Sequence, residues 1–341
     1  MNLKKRVING IPSKKRSSAC AIIGIFMAGF ILISASNSWC ASDGSEKYPT
    51  KPIELIVPYP AGSSIDLVHR VLAEAMAKEL NQSINVINKP GGNSIIGVKY
   101  VLDAPSDGYT LLGDSPGSSS FLATSSRLPF KLEDRTFIGL ASQGVMTYYV
   151  NANSSWKSLR EIANAAIKEP KRLTWALLSG TTVTDVSFLQ FFESIKLDKQ
   201  KISIVHFPAS GQAVQAVAGG HVHVGGGGVS SILPYVTSGK VRVLAVTGDK
   251  RHKDLPDVQT TAEAGFPSLN TIFWIGLSGP SKLPQNVVER LNAVMSKILN
   301  DPKVVAKFEA VGTTSVYRNF SDFKTFVLKE SEVVKSLLGS K

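Results

Sequence analysis

Short apolar runs alternate along the chain with stretches in which apolar residues recur at helical spacing. Residues Ile53–Val57 are almost continuously apolar and end at a proline, which predicts a buried strand of a parallel sheet. A helix is predicted over 64–80, because the apolar residues from Leu67 to Leu80 fall on one face. Ser63 and Asp66 resemble a capping box at the start of this helix.

The same rhythm continues to the end of the chain. Further strands are predicted at 84–87, 109–112, 147–150, 173–177, 202–206, 222–225, 241–246 and 273–277. Helices are predicted near 95–103, 159–168, 183–195, 211–218 and 232–237, and everything after 277 is predicted helical, at 285–299, 302–311 and 321–338. This alternation predicts an α/β fold with mostly parallel sheets flanked by helices. Two similar runs without a Gly/Ser or Pro linker predict two tightly coupled domains.

The first forty residues have the layout of a secretory signal peptide. Basic residues precede fifteen uncharged and mostly apolar residues at 19–33, and small residues follow at 34–38. A run of fifteen is short for a membrane span, which needs about 20 residues. We therefore predict a signal peptide over 1–41, cleaved near 38–41, and export of the mature chain. An uncleaved anchor is the alternative.

Composition places the rest of the chain among globular proteins. The chain is 43% hydrophobic and 19% charged, which excludes disordered and low-complexity classes. Six basic residues precede the apolar run, so cleavage reduces the formal charge of +12 to about +6. That charge attracts anions, and without a dense basic block no nucleic acid partner is expected. Of the two cysteines, Cys20 leaves with the leader, so no intrachain disulfide is possible.

The loop between the first strand and the first helix is a candidate anion site. A helix N-terminus carries unpaired N–H groups and a partial positive charge. Gly62 lets a ligand approach the backbone, and the hydroxyls of Ser63 and Ser64 add donors. Such a loop at the carboxyl end of a parallel strand binds anions. A helix that is merely well capped is the alternative.

A second strand, loop and helix repeat this arrangement further along the chain. The loop reads Leu178-Ser179-Gly180-Thr181-Thr182. Two such loops facing each other across a cleft would hold both ends of a small anion. Neither loop carries a P-loop or dinucleotide fingerprint, which disfavours nucleotides.

Catalytic and metal-binding motifs are not evident in the sequence. G-x-S-x-G, H-E-x-x-H and C-x-x-C do not occur. His221 and His223 would share one face of a predicted strand, but a metal needs a third ligand, and the glycines that follow predict a flexible loop. His69 is predicted as a partly buried or surface group, and Trp274 as a core residue. We expect no cofactor, no metal and no enzymatic activity.

From Tyr48 onward the chain resembles the receptors of tripartite tricarboxylate transporters, the Bug solute-binding proteins. The matching motifs are collinear and cover essentially the whole chain beyond the leader. They are Tyr48-Pro49-x-Lys51-Pro52-Ile53, Val57-Pro58-Tyr59-Pro60-Ala61-Gly62-x-x-x-Asp66, Asn88-Lys89-Pro90-Gly91-Gly92, Asp107-Gly108-Tyr109-Thr110-Leu111-Leu112, Val205-His206-x-Pro208-x-x-Gly211, Gly239-Lys240-Val241-Arg242-Val243-Leu244-Ala245-Val246-Thr247 and Leu255-Pro256-Asp257-Val258-x-Thr260-x-Ala262-Glu263-Ala264-Gly265.

This resemblance implies a two-lobed periplasmic-binding-protein-like fold with two crossovers between the lobes. Lobe one would comprise 48–146 plus 274–341, and lobe two 147–273. The implied ligand is a small organic acid, bound between the lobes in the periplasm. The implied partners are membrane transporter subunits or, alternatively, the extracytoplasmic domain of a sensor kinase. We expect a monomer.

In the family, one ligand carboxylate is held by the loop that corresponds to 60–63, and the second lobe's Ser/Gly/Thr loop corresponds to 179–182. The residues that we assign to ligand binding are Tyr59, Pro60, Ala61, Gly62, Ser63, Ser64, Ser115, Ser179, Gly180, Thr181, Thr182 and Gly227.

Three departures from the family pattern bear on the ligand. Ser63 replaces the usual second glycine, Leu177 and Leu178 make the second loop more apolar, and Gly227 stands where an aspartate is often found. These changes argue against an amino acid and for a plain or bulkier acid, aromatic or otherwise hydrophobic. The alternative is that binding has drifted or been lost.

Two other functional classes stay open at this point. An exported α/β hydrolase or isomerase would need a nucleophile and a base, for example Ser115 or Ser179 with a histidine. A membrane-anchored structural protein would need an uncleaved leader.

Overall fold

The computed structural model describes residues 48–122, 128–178 and 182–339. The predicted signal peptide, 1–41, lies outside the described residues, as does the centre of the second candidate loop, 179–181. Residues Ser45–Lys341 form one compact unit. Among the described residues, no helix has the length and apolar character needed to cross a bilayer.

Strands and helices alternate as the periodicity predicts. The strands are β1 (Ile53–Val57), β2 (Ile84–Asn88), β3 (Thr110–Asp114), β4 (Arg135–Asn151), β5 (Thr174–Leu177), β6 (Ser203–His206), β7 (Val224–Gly228), β8 (Val241–Val246), β9 (Ile272–Pro280) and β10 (Thr314–Arg318). The helices are α1 (Ser64–Leu80), α2 (Ile95–Leu102), α3 (Leu159–Lys168), α4 (Val183–Ser194), α5 (Ser210–Ala218), α6 (Val229–Thr237), α7 (Gln285–Ile298), α8 (Pro302–Ala310) and α9 (Phe320–Gly339).

All of these strands join one sheet in the order β2-β1-β3-β9-β4-β7-β5-β6, with β8 and β10 also paired to β4. The outer strands are parallel: β1 pairs with β2 and β3, and β5 pairs with β6 and β7. Every pair that involves β4 or β9 is antiparallel. The α/β fold is confirmed, but the sheet is mixed rather than mostly parallel, because the central strands run against their neighbours.

Strand β4 is much longer than the predicted strand at 147–150. Its first part pairs with β9, from Arg135 opposite Pro280 to Val145 opposite Ile272. Its second part, from Met146 onward, pairs with β7 and β8. We call β1, β2, β3, β9, β10 and the first part of β4 the first half of the sheet, and the remaining strands the second half. The predicted lobe limits at 146/147 and 273/274 stay a prediction.

The glycine-rich segment after the two histidines is a strand rather than the predicted flexible loop. Strand β7 begins at Val224, and its residues from Val224 to Gly227 are buried. All five residues of β7 pair with β4, and bulky rings occupy the space that side chains would fill. A Cβ at Gly226 would lie 2.9 Å from the Phe188 ring. Here glycine makes room for aromatic packing, so a composition typical of a loop forms a buried strand.

Each half of the sheet has its own core. Helices α1 and α7 cover the first half, where Leu72 and Leu291 pack with Leu55. Aromatic side chains dominate one core of the second half, where Trp175 contacts Phe188 and Phe192. Aliphatic residues of α5 and α6 form another core with β8. The two halves of the sheet therefore have separate cores, and β4 is the strand that runs through both halves.

The C-terminal region differs from the prediction of helices alone. Strand β10 pairs with β4, a pairing that its short and half-buried pattern does not reveal. Helix α9 then packs Phe323 against Trp274, which is fully buried as predicted. Near its end Val334 packs against Phe121 and Val186 of α4. Helix α9 therefore contacts β9 of the first half and also α4, which packs on β7 of the second half.

The packing of β7 on Tyr149 yields a stability test. Gly225→Ala should lower the free energy of unfolding by about 1–3 kcal/mol, because overpacked core sites must shift their neighbours. The new Cβ would lie 2.7 Å from the Tyr149 hydroxyl and against its buried ring. The measurement is equilibrium unfolding in urea. Gly211→Ala, in α5 with no atom within 4 Å of the new Cβ, is the control and should not destabilise. Equal stability of the two variants would contradict this account of β7.

Candidate functional site

A cavity of about 210 Å³ lies where α1, α2 and α4 begin. It brings together Tyr59 and Ser115, which follow strands of the first half, with Thr182, which follows β5 of the second half. Three of the predicted site residues therefore meet at one place. The described residues that line the cavity are Tyr59, Ile65, Asn93, Ser94, Ser115, Pro116, Gly117, Phe121, Thr182, Val183 and Phe273.

The loop between β1 and α1 is held by the helix that follows it. Ser63 caps α1, and its Oγ accepts the Asp66 N–H at 3.2 Å. Gly62 has a φ of +79°, which favours glycine, and its N–H donates to Asp66 Oδ2 at 2.8 Å. Because this N–H is already paired, Gly62 shapes the loop rather than offering a free donor.

The remaining predicted contacts of this loop differ in exposure. Tyr59 is half-buried, and its side chain lines the cavity. Pro60 and Ala61 are exposed, and Ser64 is the first residue of α1. The loop therefore reaches the cavity through the tyrosine side chain and the first turn of α1, where Ile65 also lines the wall.

Asp66 fixes the geometry of this region. Its buried carboxylate accepts the Gly62 N–H, Arg70 Nε at 2.9 Å and Asn88 Nδ2 at 2.8 Å. Asn88 Nδ2 also donates to the Tyr59 carbonyl at 3.0 Å. Burial opposes ionisation, but the hydrogen bonds from Arg70, Asn88 and Gly62 outweigh it and hold the pKa of Asp66 below its usual value. The carboxylate stays charged and ties β1, β2 and α1 together.

The second loop is built in the same way. Asp185, at the third position of α4, is fully buried, and its Oδ1 accepts the Leu178 N–H at 2.7 Å. Its Oδ2 accepts the Thr182 N–H at 2.9 Å and the Thr182 hydroxyl at 2.8 Å. This carboxylate fixes both ends of the loop. The predicted contacts that lie between those ends, outside the described residues, are Ser179, Gly180 and Thr181.

Ser115 meets Tyr59 inside the cavity. The Ser115 Oγ and the Tyr59 hydroxyl are 2.8 Å apart. Burial raises the pKa of Tyr59, so its hydroxyl stays protonated and can donate. A Cβ at Gly117 would lie 2.6 Å from that hydroxyl, so the glycine keeps space open for the tyrosine.

The Ser115 segment depends on a buried ion pair that the sequence did not reveal. Arg135 Nη1 lies 3.0 Å from Asp114 Oδ2, and both side chains are almost completely buried. Asp114 comes directly before a serine-rich segment, which is the signal that could have marked it as an acceptor. Its carboxylate also accepts the Ser115 N–H and the hydroxyls of Ser118, Ser119 and Ser278.

The start of α2 is a further part of the cavity that sequence reasoning missed. Gly91, Gly92, Asn93 and Ser94 all have positive φ, and the last two line the cavity. Such conformations cost energy for residues other than glycine and are concentrated at functional sites. Ser94 is buried and donates its hydroxyl to the Pro58 carbonyl at 3.4 Å. The turn motif at 88–92 was the only sequence signal here.

Gly227 is the one described candidate that lies away from these loops. It is a buried residue of β7, and its carbonyl accepts the Thr147 hydroxyl at 2.8 Å. It is not among the described residues that line the cavity.

The histidines occupy structural positions. His69 was predicted to be partly buried or at the surface, and this is wrong: it is fully buried, with Nδ1 2.8 Å from the Ile65 carbonyl. His69 is on the side of α1 that faces β9, with Nε2 3.4 Å from the Gly276 carbonyl, which explains the burial. His221 and His223 are exposed in the turn before β7 rather than on the strand. Within the described ranges, no three His, Cys, Asp or Glu side chains are grouped to hold a metal ion.

A second cavity, of about 340 Å³, lies between α4 and α9 and shares Phe121 with the first. Glu330 of α9 lines it, and its Oε2 accepts the Trp274 Nε1–H at 2.8 Å and the Ser120 hydroxyl. Burial, opposed by these bonds and assisted by the charge of Asp114, raises the pKa of Glu330 to about 7.

The Asp66 contacts predict both a stability loss and a change in acid sensitivity. Asp66→Asn should cost about 1–3 kcal/mol, because Gly62 and Arg70 lose a charged acceptor. The native pKa lies below 3.8, so the contribution is present above that pH and is lost as the pH falls further. Urea unfolding at pH 7 and pH 3 measures both effects, and the variant should differ less from wild type at pH 3. Asp103→Asn, at an exposed ion pair with Lys99, is the control and should change stability by about 0.5 kcal/mol or less.

Glu330 predicts a pH dependence of opposite sign. Its folded-state pKa of about 7 lies above the ordinary 4.5, so the folded chain binds this proton more tightly than the unfolded chain. Stability should therefore fall as the pH rises between about 4.5 and 7, by about 1–3 kcal/mol. Glu330→Gln should remove this slope, whereas Glu332→Gln, exposed on the same helix, should keep it. A slope that is unchanged in Glu330→Gln would refute the assignment.

The fold and the cavity define a class of protein. Two α/β halves joined by central strands, with a cavity between loops of both halves, form a periplasmic-binding-protein-like fold. The model of the family described as "Tripartite tricarboxylate transporter family receptor" matches residues 68–340. The chain belongs to this family of solute-binding receptors, which confirms the resemblance seen in the sequence.

Two relatives match over most of their length. A "UPF0065 protein in tcbD-tcbE intergenic region" of Pseudomonas sp. (strain P51) is 31% identical over 292 residues, 84% of each chain. The protein BugT of Bordetella pertussis is 28% identical over 315 residues, covering 91% of this chain and 93% of BugT.

A solved structure shows the same fold. MatC from Rhodopseudomonas palustris with bound malate is 25% identical and superposes with a TM-score of 0.70. The match covers 85% of this chain and 99% of MatC.

Proposed function

We propose that the mature chain is a periplasmic receptor that captures a small carboxylate in the 210 Å³ cavity and delivers it to membrane transporter subunits. The two halves of the sheet would act as lobes, 48–146 plus 274–341 and 147–273, that close on the ligand. The leader over 1–41 would direct export and then be removed.

The observation that carries this proposal is the meeting of loops from both halves at one cavity. Tyr59 and Ser115 place hydroxyl groups there, and Thr182, whose hydroxyl is bonded to Asp185, lines the cavity at the start of α4. Helix N-termini attract anions, by about 0.3–1 kcal/mol each when exposed and up to about 2 kcal/mol when partly buried. A carboxylate bound between the two loops would be attracted by the N-termini of both α1 and α4.

The comparison with MatC supports the ligand class. That protein is solved with malate, and its chain aligns with 85% of this one. The buried carboxylates Asp66 and Asp185 accept loop N–H groups, and neither is among the described residues that line the cavity, so they organise the site from behind its lining.

The environment of Ser115 favours binding over hydrolysis. Its Oγ lies 2.8 Å from the Tyr59 hydroxyl and 3.4 Å from Ser118 Oγ, and neither group is a general base at neutral pH. We propose that Ser115 serves as a hydrogen-bonding group for the ligand. A ligand recovered unchanged after long incubation would agree with this role.

Thermal unfolding of the chain from residue 42 onward tests the proposal. Mono-, di- and tricarboxylates, aromatic acids and amino acids are each added, together with the neutral amides of the acids. An acid at about 100 times its Kd should stabilise the protein by about 2.7 kcal/mol and raise the Tm by about 4 °C or more. The matching amide should have no effect. An absence of any shift across the panel would contradict the proposal.

Variants then locate the binding event. Tyr59→Phe and Ser115→Ala should each weaken binding of the active acid about tenfold, because each removes one hydroxyl from the cavity. Ser238→Ala removes an exposed hydroxyl at the end of α6 and should bind like wild type. Unchanged affinity in both cavity variants would place the ligand elsewhere.

A further inference from the structure

The described residues that line the cavity are of two chemical kinds. One set, which we call the polar wall, comprises Tyr59, Asn93, Ser94, Ser115 and Thr182. The other set, which we call the apolar wall, comprises Ile65, Pro116, Phe121, Val183 and Phe273. A ligand that fills the space would touch both sets, so it should carry both a polar group and an apolar surface.

Two rings of the apolar wall pack against core residues outside the cavity. Phe121 is buried and packs against Val186, Val334 and Leu337, so α4 and α9 together fix its position. Phe273 packs against the core of the first half. Side chains in close-packed cores stay near one arrangement. The two rings therefore keep presenting an apolar surface to the ligand.

The polar wall suits a single anionic group. The Tyr59 and Ser115 hydroxyls already meet at 2.8 Å, and α1 and α4 begin beside them. The two arginines of the adjoining segments are engaged elsewhere: Arg135 bonds Asp114, and Arg70 bonds Asp66. Hydroxyl donors and helix N-termini can hold one carboxylate without a salt bridge.

The cavity is also small. Its volume of about 210 Å³ lies below the roughly 300–1,000 Å³ typical of drug-sized ligands. A compact acid with one ring or a short branched chain fits this size better than an extended molecule.

We propose that the cavity selects a small monocarboxylate with an apolar body, such as an aromatic ring, over di- and tricarboxylates. The carboxylate lies on the polar wall, and the body lies against Phe121, Val183 and Phe273. Among the described residues that line the cavity there is no Lys, Arg or His to pair with a second carboxylate, which would lose its hydration at a high cost. This inference rests on the proposed function and narrows it to one class of substrate.

Isothermal titration calorimetry with matched acids tests the selectivity. The probes are benzoate, cyclohexanecarboxylate, phthalate, malate and citrate, with benzamide as the neutral control. Benzoate or cyclohexanecarboxylate should bind at least about tenfold more tightly than phthalate, malate and citrate, and benzamide should not bind. Tighter binding of malate, citrate or phthalate would overturn the inference and leave the proposed function intact. Failure of every acid to bind would overturn both.

A near-isosteric variant checks the role of the apolar wall. Val183→Thr places a hydroxyl in that wall and should weaken benzoate binding about threefold to tenfold while leaving malate binding unweakened. Val333→Thr makes the same change at an exposed position of α9 and should bind benzoate like wild type. Phe273→Leu keeps the wall apolar but shortens it, and should weaken benzoate more than cyclohexanecarboxylate. Unchanged benzoate affinity in both Val183→Thr and Phe273→Leu would overturn the inference.

Discussion

The candidate site depends on buried carboxylates that hold loop backbone in place. Asp66 accepts the Gly62 N–H, Asp185 accepts the N–H groups of Leu178 and Thr182, and Asp114 accepts that of Ser115. A carboxylate removed from water must be matched by donors, and these loops supply them. The described ends of these loops are therefore held in place, and the cavity lies where they meet.

The position of these loops relative to one another depends on the central strands. Strand β4 runs through both halves of the sheet, and its pairing partner changes from β9 to β7 and β8 near Met146. Glycines of β7 let Tyr149 and Phe188 pack close to the backbone. Helix α9 then packs against α4. The core between these two helices includes Phe121, which also lines the cavity.

Much of this architecture could be predicted from the sequence. The run Ile53–Val57 and the helix Ser64–Leu80 were predicted closely, because continuous apolar strands and one-sided helices have strong periodicity. Strand β10 and the first part of β4 were missed, because half-buried or glycine-interrupted strands lack that pattern. The glycines of β7 were assigned to a loop because composition alone does not reveal what packs against a backbone.

The sequence by itself determined the α/β class and the two loops before α1 and α4, since local periodicity and capping residues act over a few neighbours. The family followed from the resemblance of collinear motifs along the chain. Only the tertiary structure decided which residues share the cavity. It brought Ser94 and Phe121 to the walls, paired Asp114 with Arg135, and placed Gly227 inside β7. Contacts between residues far apart in the chain depend on strand order and packing, and no local pattern encodes them.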